Sequence, residues 1–154
     1  MTVNSIAALV RLFDRIPVSI LLLLDRAIVG LVFFQSGLTK IEGFGLKPGT
    51  FFLFQEEYKV PLLPPALAAY MATTAELTMP WLLWLGLGAR FAAVALLLMT
   101  GVIQAFVYPE AYVTHGLWAI ALLAIIKFGA GAISIDHLVR ARFEPAGVLP
   151  SSER

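Results

Sequence analysis

The sequence predicts an all-α integral membrane protein, folded as a four-helix bundle with a short amphipathic helix at its N-terminus. Of its 154 residues, 60% are hydrophobic and only 14% are charged, whereas an average soluble domain is about 45–50% apolar and about 25% charged. Four apolar segments each approach the roughly 20 residues that a helix needs to cross a bilayer. Helices are expected there because an open strand leaves its backbone polar groups unsatisfied in lipid.

The chain is expected to form one membrane domain over residues 1–154. Its first 16 residues predict an interfacial amphipathic helix, because apolar residues recur there at helical spacing: Ile6, Leu9, Val10, Phe13 and Ile16. The predicted spans cover residues 17–38, 65–88, 90–107 and 116–135, and residues 136–154 form a tail. The long connection over residues 39–64 mixes aromatic, charged and proline residues, which predicts a short amphipathic or re-entrant segment at the interface.

Lys and Arg residues are more numerous on the side of the predicted bundle that carries the termini. That side has Arg11, Arg15, Arg90, Arg140, Arg142 and Arg154, whereas the other side has Lys40, Lys47 and Lys59. Because positive residues are enriched in cytoplasmic loops, both termini and the tail are expected in the cytoplasm.

Composition also excludes several classes of function. The net charge is +1, so the chain has no basic surface of the kind that binds nucleic acid. It has no cysteine, which excludes thiol catalysis and Cys-ligated metal within this chain. No His, Asp and Glu residues have the spacing of a ligand set, so no metal site is predicted.

Three charged residues fall deep inside predicted spans: Arg26, Glu76 and Lys127. A charge at mid-membrane costs about 2.5–3.5 kcal/mol on insertion scales. The helical rise places all three roughly 14–18 Å from the cytoplasmic end, and Asp25 adds a second negative charge. The set is formally neutral, which predicts an internal network. The network is either a set of structural ion pairs or a site for a quinone head group or small acid, with Glu76 as the candidate catalytic residue that exchanges a proton.

One face of the first span carries Arg26, Gly30, Phe33, Gly37 and Lys40, spaced four, three, four and three residues apart. This spacing defines one stripe of a helix, and its glycines permit close approach of another helix. At the outer end of the bundle, a second group forms a candidate polar mouth: Gln104, Tyr108 and His115.

The stripe resembles the first-helix signature of the DoxX family. The later pattern is also similar, with Glu76 followed by an apolar run and then Leu85-Gly86-Leu87-Gly88-Ala89-Arg90. The resemblance covers about residues 21–135, and its matched positions are Arg26, Gly30, Gly37, Lys40, Glu76, Gly86 and Arg90. It implies a small four-helix protein of the bacterial inner membrane. It also implies association with redox systems, since some relatives are subunits linked to quinol oxidation or thiosulfate:quinone oxidoreductase and others belong to complexes that resist oxidative stress.

Three functions follow as hypotheses. The first is an accessory subunit of a redox complex, with quinone as the candidate ligand and no cofactor assigned within the chain itself. The second is a non-enzymatic scaffold or assembly factor that binds a partner through the 39–64 connection, using Phe51, Phe52 and Tyr58. The third is a small transporter, which needs an oligomer because four helices are few and no inverted repeat is visible. The expected partners are lipid, a second copy of the chain, or a membrane or redox protein.

Overall fold

A computed structural model of the chain describes residues 13–61 and 63–143. In chain order its elements are α1 (Val18–Thr39), β1 (Ile41–Glu42), β2 (Gly45–Leu46), α2 (Pro48–Phe52), a first π-helical turn (Leu53–Tyr58), α3 (Pro65–Leu85), α4 (Ala89–Val102), a second π-helical turn (Ile103–Val107), a 3-10 turn (Pro109–Ala111), α5 (Tyr112–Phe128) and α6 (Ile135–Phe143). The expected interfacial helix lies almost wholly outside the described residues, as does the tail after residue 143.

The described part of the chain has three segments that are long and apolar enough to cross a membrane: Val18–Thr39, Ala89–Val107 and Pro109–Phe128. Helix α3 has 21 residues, but its threonines, its prolines and Glu76 reduce its hydropathy. Together with the predominance of helix, these segments identify an all-α membrane protein.

Two helix ends differ from the predicted spans because of glycines. Helix α3 ends at Leu85, since Gly86 adopts a φ of 63°, where the sequence predicted a span to residue 88. Helix α5 ends at Phe128, well before residue 135, because Gly129 and Gly131 have φ angles of 82° and 77°. Glycine tolerates this left-handed region and commonly ends helices.

The four long helices enclose one apolar core. Helix α1 packs against α3 and α5, and α4 packs against the same two helices. The core consists of residues from all four helices and the turn after α5: Val29, Phe33, Leu83, Ala89, Ala92, Ala93, Leu96, Leu122, Ile125 and Ala130. Small alanines on α4 allow its backbone to approach its neighbours closely.

Glycines on α1 set its closest contacts with α3. A Cβ atom on Gly30 would lie 2.5 Å from Trp84 Nε1, and one on Gly37 would lie 2.8 Å from Leu77 Cδ2 and 3.0 Å from Glu76 Cβ. A larger residue at either position would therefore force the two helices apart. This close contact positions the end of α1 beside Glu76.

The connection between α1 and α3 folds over one end of this core. Thr50 donates a hydrogen bond of 2.8 Å from its hydroxyl to the Lys40 carbonyl, which ties α2 to the end of α1. Phe54 is buried against Ala68 and Ala69 of α3. The connection is therefore packed onto the helices rather than extended away from them.

Candidate functional site

Glu76 of α3 and Lys40, which follows α1, form a buried ion pair. Lys40 Nζ lies 2.7 Å from Glu76 Oε2 and donates a hydrogen bond of 3.0 Å to Glu76 Oε1. The two side chains are only 7% and 4% exposed. Because a buried charge is tolerable only when it is paired and hydrogen-bonded, each residue makes the burial of the other feasible.

Ser36 completes the polar cluster around this pair. Its hydroxyl donates to Glu76 Oε1 at 3.1 Å, and its Oγ and backbone carbonyl accept from Lys40 Nζ at 2.9 and 3.2 Å. An ammonium group has three donors, so Ser36 and Glu76 together occupy the donors of Lys40. The donors of Lys40 are therefore all used within the cluster.

A cavity of about 380 Å³ opens beside the cluster. Its wall is largely apolar and includes Phe33, Met99 and Trp118. Its polar lining residues are Ser36, Lys40, Tyr58, Glu76, Tyr108 and His115. A mostly apolar pocket of about 300–1,000 Å³ with a few polar groups is typical of a small-molecule site.

The two π-helical turns flank this cavity. The first turn contributes Phe54 and Tyr58 to the lining, and the second contributes Ile103 and Val107. The rings of Tyr58 and Tyr108 meet edge to face at 5.7 Å, which connects the two sides. Turns of this type occur frequently at functional sites because they redirect side chains within a helix.

The structure brings the three residues of the candidate polar mouth together at the cavity. Tyr108 and His115 line it, and His115 Nδ1 lies 2.7 Å from Gln104 Oε1. Gln104 Nε2 in turn donates to the Pro109 carbonyl at 2.6 Å. His115 is therefore held by a short hydrogen-bonded chain that leads to the connection between α4 and α5.

Arg26 does not reach Glu76. Its fully buried guanidinium donates to the carbonyls of Leu83 at 2.8 Å, Trp84 at 3.4 Å and Ile133 at 2.6 Å. The last carbonyls of a helix have no intrahelical partner and attract cations, so Arg26 closes the end of α3. The expected network is not formed, because Arg26 lies level with the helix terminus and not with Glu76.

Lys127 and Asp25 also lie outside the polar cluster. Lys127 is exposed, and its ammonium lies 5.1 Å from the centroid of the Phe128 ring. Since α5 ends at Phe128, Lys127 occupies the last turn of the helix, from which a long side chain extends outward. Asp25 is only partly buried on α1. The expectation that these residues share a buried site with Glu76 is therefore wrong.

Two further positions that match the DoxX pattern, Gly86 and Arg90, lie around the turn between α3 and α4, which Asp136 also contacts. The Asp136 carboxylate accepts hydrogen bonds from the backbone amides of Gly88 at 2.8 Å and Ala89 at 3.2 Å, which caps α4. Gly86 packs against Arg26, whose Nη1 would lie 2.5 Å from a Cβ on that glycine. These contacts explain why a glycine and a buried arginine occur together here.

Arg90 closes the end of a second helix in the same region. Its Nε donates to the Ile126 carbonyl at 3.1 Å, and its Nη2 donates to the Lys127 carbonyl at 3.4 Å. Both are among the last carbonyls of α5 and lack intrahelical partners. Arg26 and Arg90 thus perform the same capping role for α3 and α5.

Sequence reasoning assigned Lys40 to the packing stripe and did not identify it as the partner of Glu76. The stripe itself contained the signal, because Gly37 contacts both Leu77 and Glu76 and Lys40 lies less than one helical turn further on. Ser36, one residue before Gly37, was not identified at all, since a lone serine in an apolar run gives no distinctive pattern.

Comparison with known proteins identifies the family. A family model for DoxX matches residues 21–109. An uncharacterized protein of Haemophilus influenzae is 29% identical over 129 residues, which cover 77% of this chain and 83% of that protein. No solved structure matches significantly. Because the matched range contains both members of the buried ion pair and more than half of the sequence, this chain belongs to the DoxX family.

Proposed function

We propose that this membrane protein is an accessory subunit of a quinone-linked redox complex and that its cavity receives the ring of a quinone or quinol from the bilayer. The observation that carries the proposal is the cavity of about 380 Å³ with the Lys40–Glu76 pair in its wall. A quinone is an apolar ring edged with oxygen atoms, so it fits an apolar pocket with a few polar groups.

The apolar wall supports this ligand class. The rings of Phe33 and Trp118 lie 5.5 Å apart, and those of Phe54 and Tyr58 lie 4.9 Å apart. Aromatic faces and edges stabilise another flat ring by offset or edge-to-face contact. Met99 adds an adaptable side chain that accommodates substituents on such a ring.

Glu76 is the residue that we assign to proton exchange. Its carboxylate lines the cavity and is held in place by Lys40 and Ser36, so it accepts a proton from a hydroxyl group of the bound ring. The electrons that leave with quinol oxidation pass to a redox centre of a partner protein. This division of roles makes the chain an accessory subunit.

We further propose that α1, α3, α4 and α5 all cross a bacterial inner membrane, with both termini in the cytoplasm. The polar residues that lower the hydropathy of α3 support this topology, because Thr73, Glu76 and Pro80 are buried. Its exposed surface instead carries apolar and aromatic residues such as Leu67, Met71 and Trp81. The lipid-facing side of α3 is therefore compatible with a membrane span.

The proposal is tested by quinone binding to the purified protein in lipid nanodiscs. A short-chain benzoquinone quenches tryptophan fluorescence, and we expect a saturable component from Trp118. Ala95 lines the cavity, so Ala95→Phe should fill it and remove the saturable component. Val94→Phe is the matched control, because Val94 is exposed on the same helix, and should bind like the wild type.

Turnover provides a second readout in membranes that contain the whole complex. Glu76→Gln keeps a hydrogen-bond acceptor for Lys40 but removes the exchangeable proton, so it should slow quinone-linked electron transfer per molecule of folded, membrane-inserted protein. Linear, non-saturable quenching in the wild type, together with normal turnover of Glu76→Gln, would reject the proposal.

One observation supports the alternative role as a scaffold. Phe44, in the turn between β1 and β2, and Phe52 of α2 are exposed, whereas Phe51 already contacts Tyr70. Exposed aromatic residues are typical of protein contacts. If the chain is a scaffold, Phe44→Ala with Phe52→Ala should release a co-purifying partner, and Phe91→Ala on the outer face of α4 should not.

A further inference from the structure

We propose that His115 is a hydrogen-bond acceptor in the cavity, so that the site recognises a ring bearing a hydroxyl group rather than a carbonyl. This inference rests on the proposed function and specifies its ligand: the reduced, quinol-like form. It is carried by the hydrogen-bonded chain that links His115 to the backbone beyond α4.

The hydrogen bond to the Pro109 carbonyl fixes the orientation of the Gln104 amide. The Pro109 carbonyl can only accept a hydrogen bond, so the group 2.6 Å from it must be the Gln104 NH2. The amide oxygen of Gln104 consequently faces His115 Nδ1 at 2.7 Å. Because that oxygen can only accept, Nδ1 must carry the proton.

The protonation of Nδ1 determines the character of the other ring nitrogen. In a neutral imidazole one nitrogen donates and the other accepts, and the hydrogen bond of one nitrogen selects the tautomer. In the neutral imidazole, the hydrogen bond to Gln104 therefore leaves Nε2 unprotonated, so that Nε2 is an acceptor.

Nε2 is the ring nitrogen of His115 that remains available to a ligand. His115 is only 5% exposed and lines the cavity, while its Nδ1 is occupied by Gln104. Within residues 13–61 and 63–143, Nε2 has no hydrogen-bond partner, and it is not one of the fully enclosed atoms that lack a hydrogen bond. The small accessible surface of this residue therefore includes an unsatisfied acceptor.

The opposite polar group of the cavity, the Lys40–Glu76 pair, offers a ligand no ammonium donor. Lys40 is saturated by Ser36 and Glu76. The acceptor at His115 therefore requires a donor from the ligand. A hydroxyl group on the ring supplies that donor, whereas a quinone supplies only carbonyl acceptors, which would leave Nε2 unpaired.

The tautomer is tested directly by 15N NMR of histidine in nanodiscs. The chain has two histidines, so His137→Gln leaves His115 as the source of the signal. We expect the proton on Nδ1 and none on Nε2. Gln104→Leu should release this constraint and shift the population toward Nε2–H. A signal with Nε2 protonated, alone or together with Nδ1, in the His137→Gln protein would overturn the inference.

Ligand preference is tested with three matched probes: a short-chain hydroquinone kept anaerobic, its quinone, and its dimethyl ether, which has no donor. One neutral hydrogen bond corresponds to about three- to tenfold in affinity, so the hydroquinone should bind that much more tightly than the ether. His115→Phe should abolish this difference. If the three probes bind equally, the inference is refuted, although quinone binding itself stands. If none of the probes shows saturable binding, the proposed function is refuted. The NMR experiment reports the tautomer in either case.

Discussion

Lys40 and Glu76 lie 36 residues apart in the sequence, and their charged atoms are 2.7 Å apart in the interior. The pair joins the end of α1 to the middle of α3. Since a bilayer and an apolar core offer no other source of solvation, each charge depends on the other. This relationship joins two helices and lies in the wall of the cavity.

Removing one member of this pair should destabilise the protein more than removing both. Lys40→Met leaves an unpaired carboxylate, which costs about 3–5 kcal/mol at a buried site. Lys40→Met with Glu76→Met replaces both charges by apolar groups and should recover much of that loss. The measurement is the free energy of unfolding in mixed micelles, determined for Lys40→Met, for Glu76→Met and for the double variant. Simple additivity of the two single changes would contradict the coupling.

The glycines of α1 should be sensitive to a single methyl group. Gly37→Ala brings a Cβ within 2.8 Å of Leu77, and overpacking of this kind costs about 1–3 kcal/mol. Gly101→Ala is the matched control, because Gly101 lies in a helix with open space around it. It should be neutral or gain about 0.5–1 kcal/mol from improved helix propensity. Thermal denaturation in detergent distinguishes the two variants, and equal stability of both would argue against close α1–α3 packing.

Replacing Arg26 and replacing Lys127 should have different effects on stability. The guanidinium of Arg26 lies at the end of α3, and Lys127 lies in the last turn of α5. Arg26→Met removes hydrogen bonds to Leu83 and Ile133 and should lower the melting temperature markedly. Lys127→Met removes an exposed ammonium and should change stability by less than about 0.5 kcal/mol. Quinone affinity of the folded fraction should remain unchanged in both, because neither side chain lines the cavity. A binding defect in either variant with unchanged stability would return that residue to the site.

Tyr58 provides a test of burial by pH. Burial is the main cause that raises the pKa of this phenol above its usual value of about 10, and a hydrogen bond with Tyr108 adds to the rise. The neutral form is thus favoured in the folded state, so its contribution to stability is present below about pH 10 and is lost as the pH rises further. Just above pH 10, Tyr58 should stay neutral in the native protein, so native wild type and native Tyr58→Phe should have the same tyrosinate absorbance. After denaturation the wild type should have the higher absorbance, because Tyr58 then ionises. A difference between the native proteins would mean that Tyr58 is open to solvent.

Local patterns in the sequence were enough to predict the long helices between residues 18 and 128 but not their exact ends. The apolar runs and Pro17 located α1 to within a residue, since hydropathy and helix length are local properties. The end of α5 was placed too late because the run of small and apolar residues from Gly129 to Ile135 looks continuous. Positive φ angles at two glycines interrupt it, and a hydropathy pattern does not detect backbone conformation.

The sequence predicted only part of the site, because local patterns do not show how the helices pack against one another. Glu76 stood out because a carboxylate in an apolar span is costly. Its partner could not be chosen from depth alone: similar depth favoured Arg26 and Lys127, whereas Lys40 was assigned only to the packing stripe. Helix register made the choice: contacts such as Gly30 with Trp84 and Gly37 with Leu77 set Arg26 against the end of α3 and Lys40 against Glu76.

Photo-crosslinking with a ring-azido quinone in native membranes tests the central claim most directly, because it reports where the ring binds. The account predicts that the label falls on residues of the cavity wall, such as Phe33, Tyr58 and Trp118, and that an excess of unlabelled quinone prevents it. Labelling confined to lipid-facing positions such as Leu98 or Trp81, with no effect of the competitor, would contradict the account and leave the buried pair of Lys40 and Glu76 as architecture.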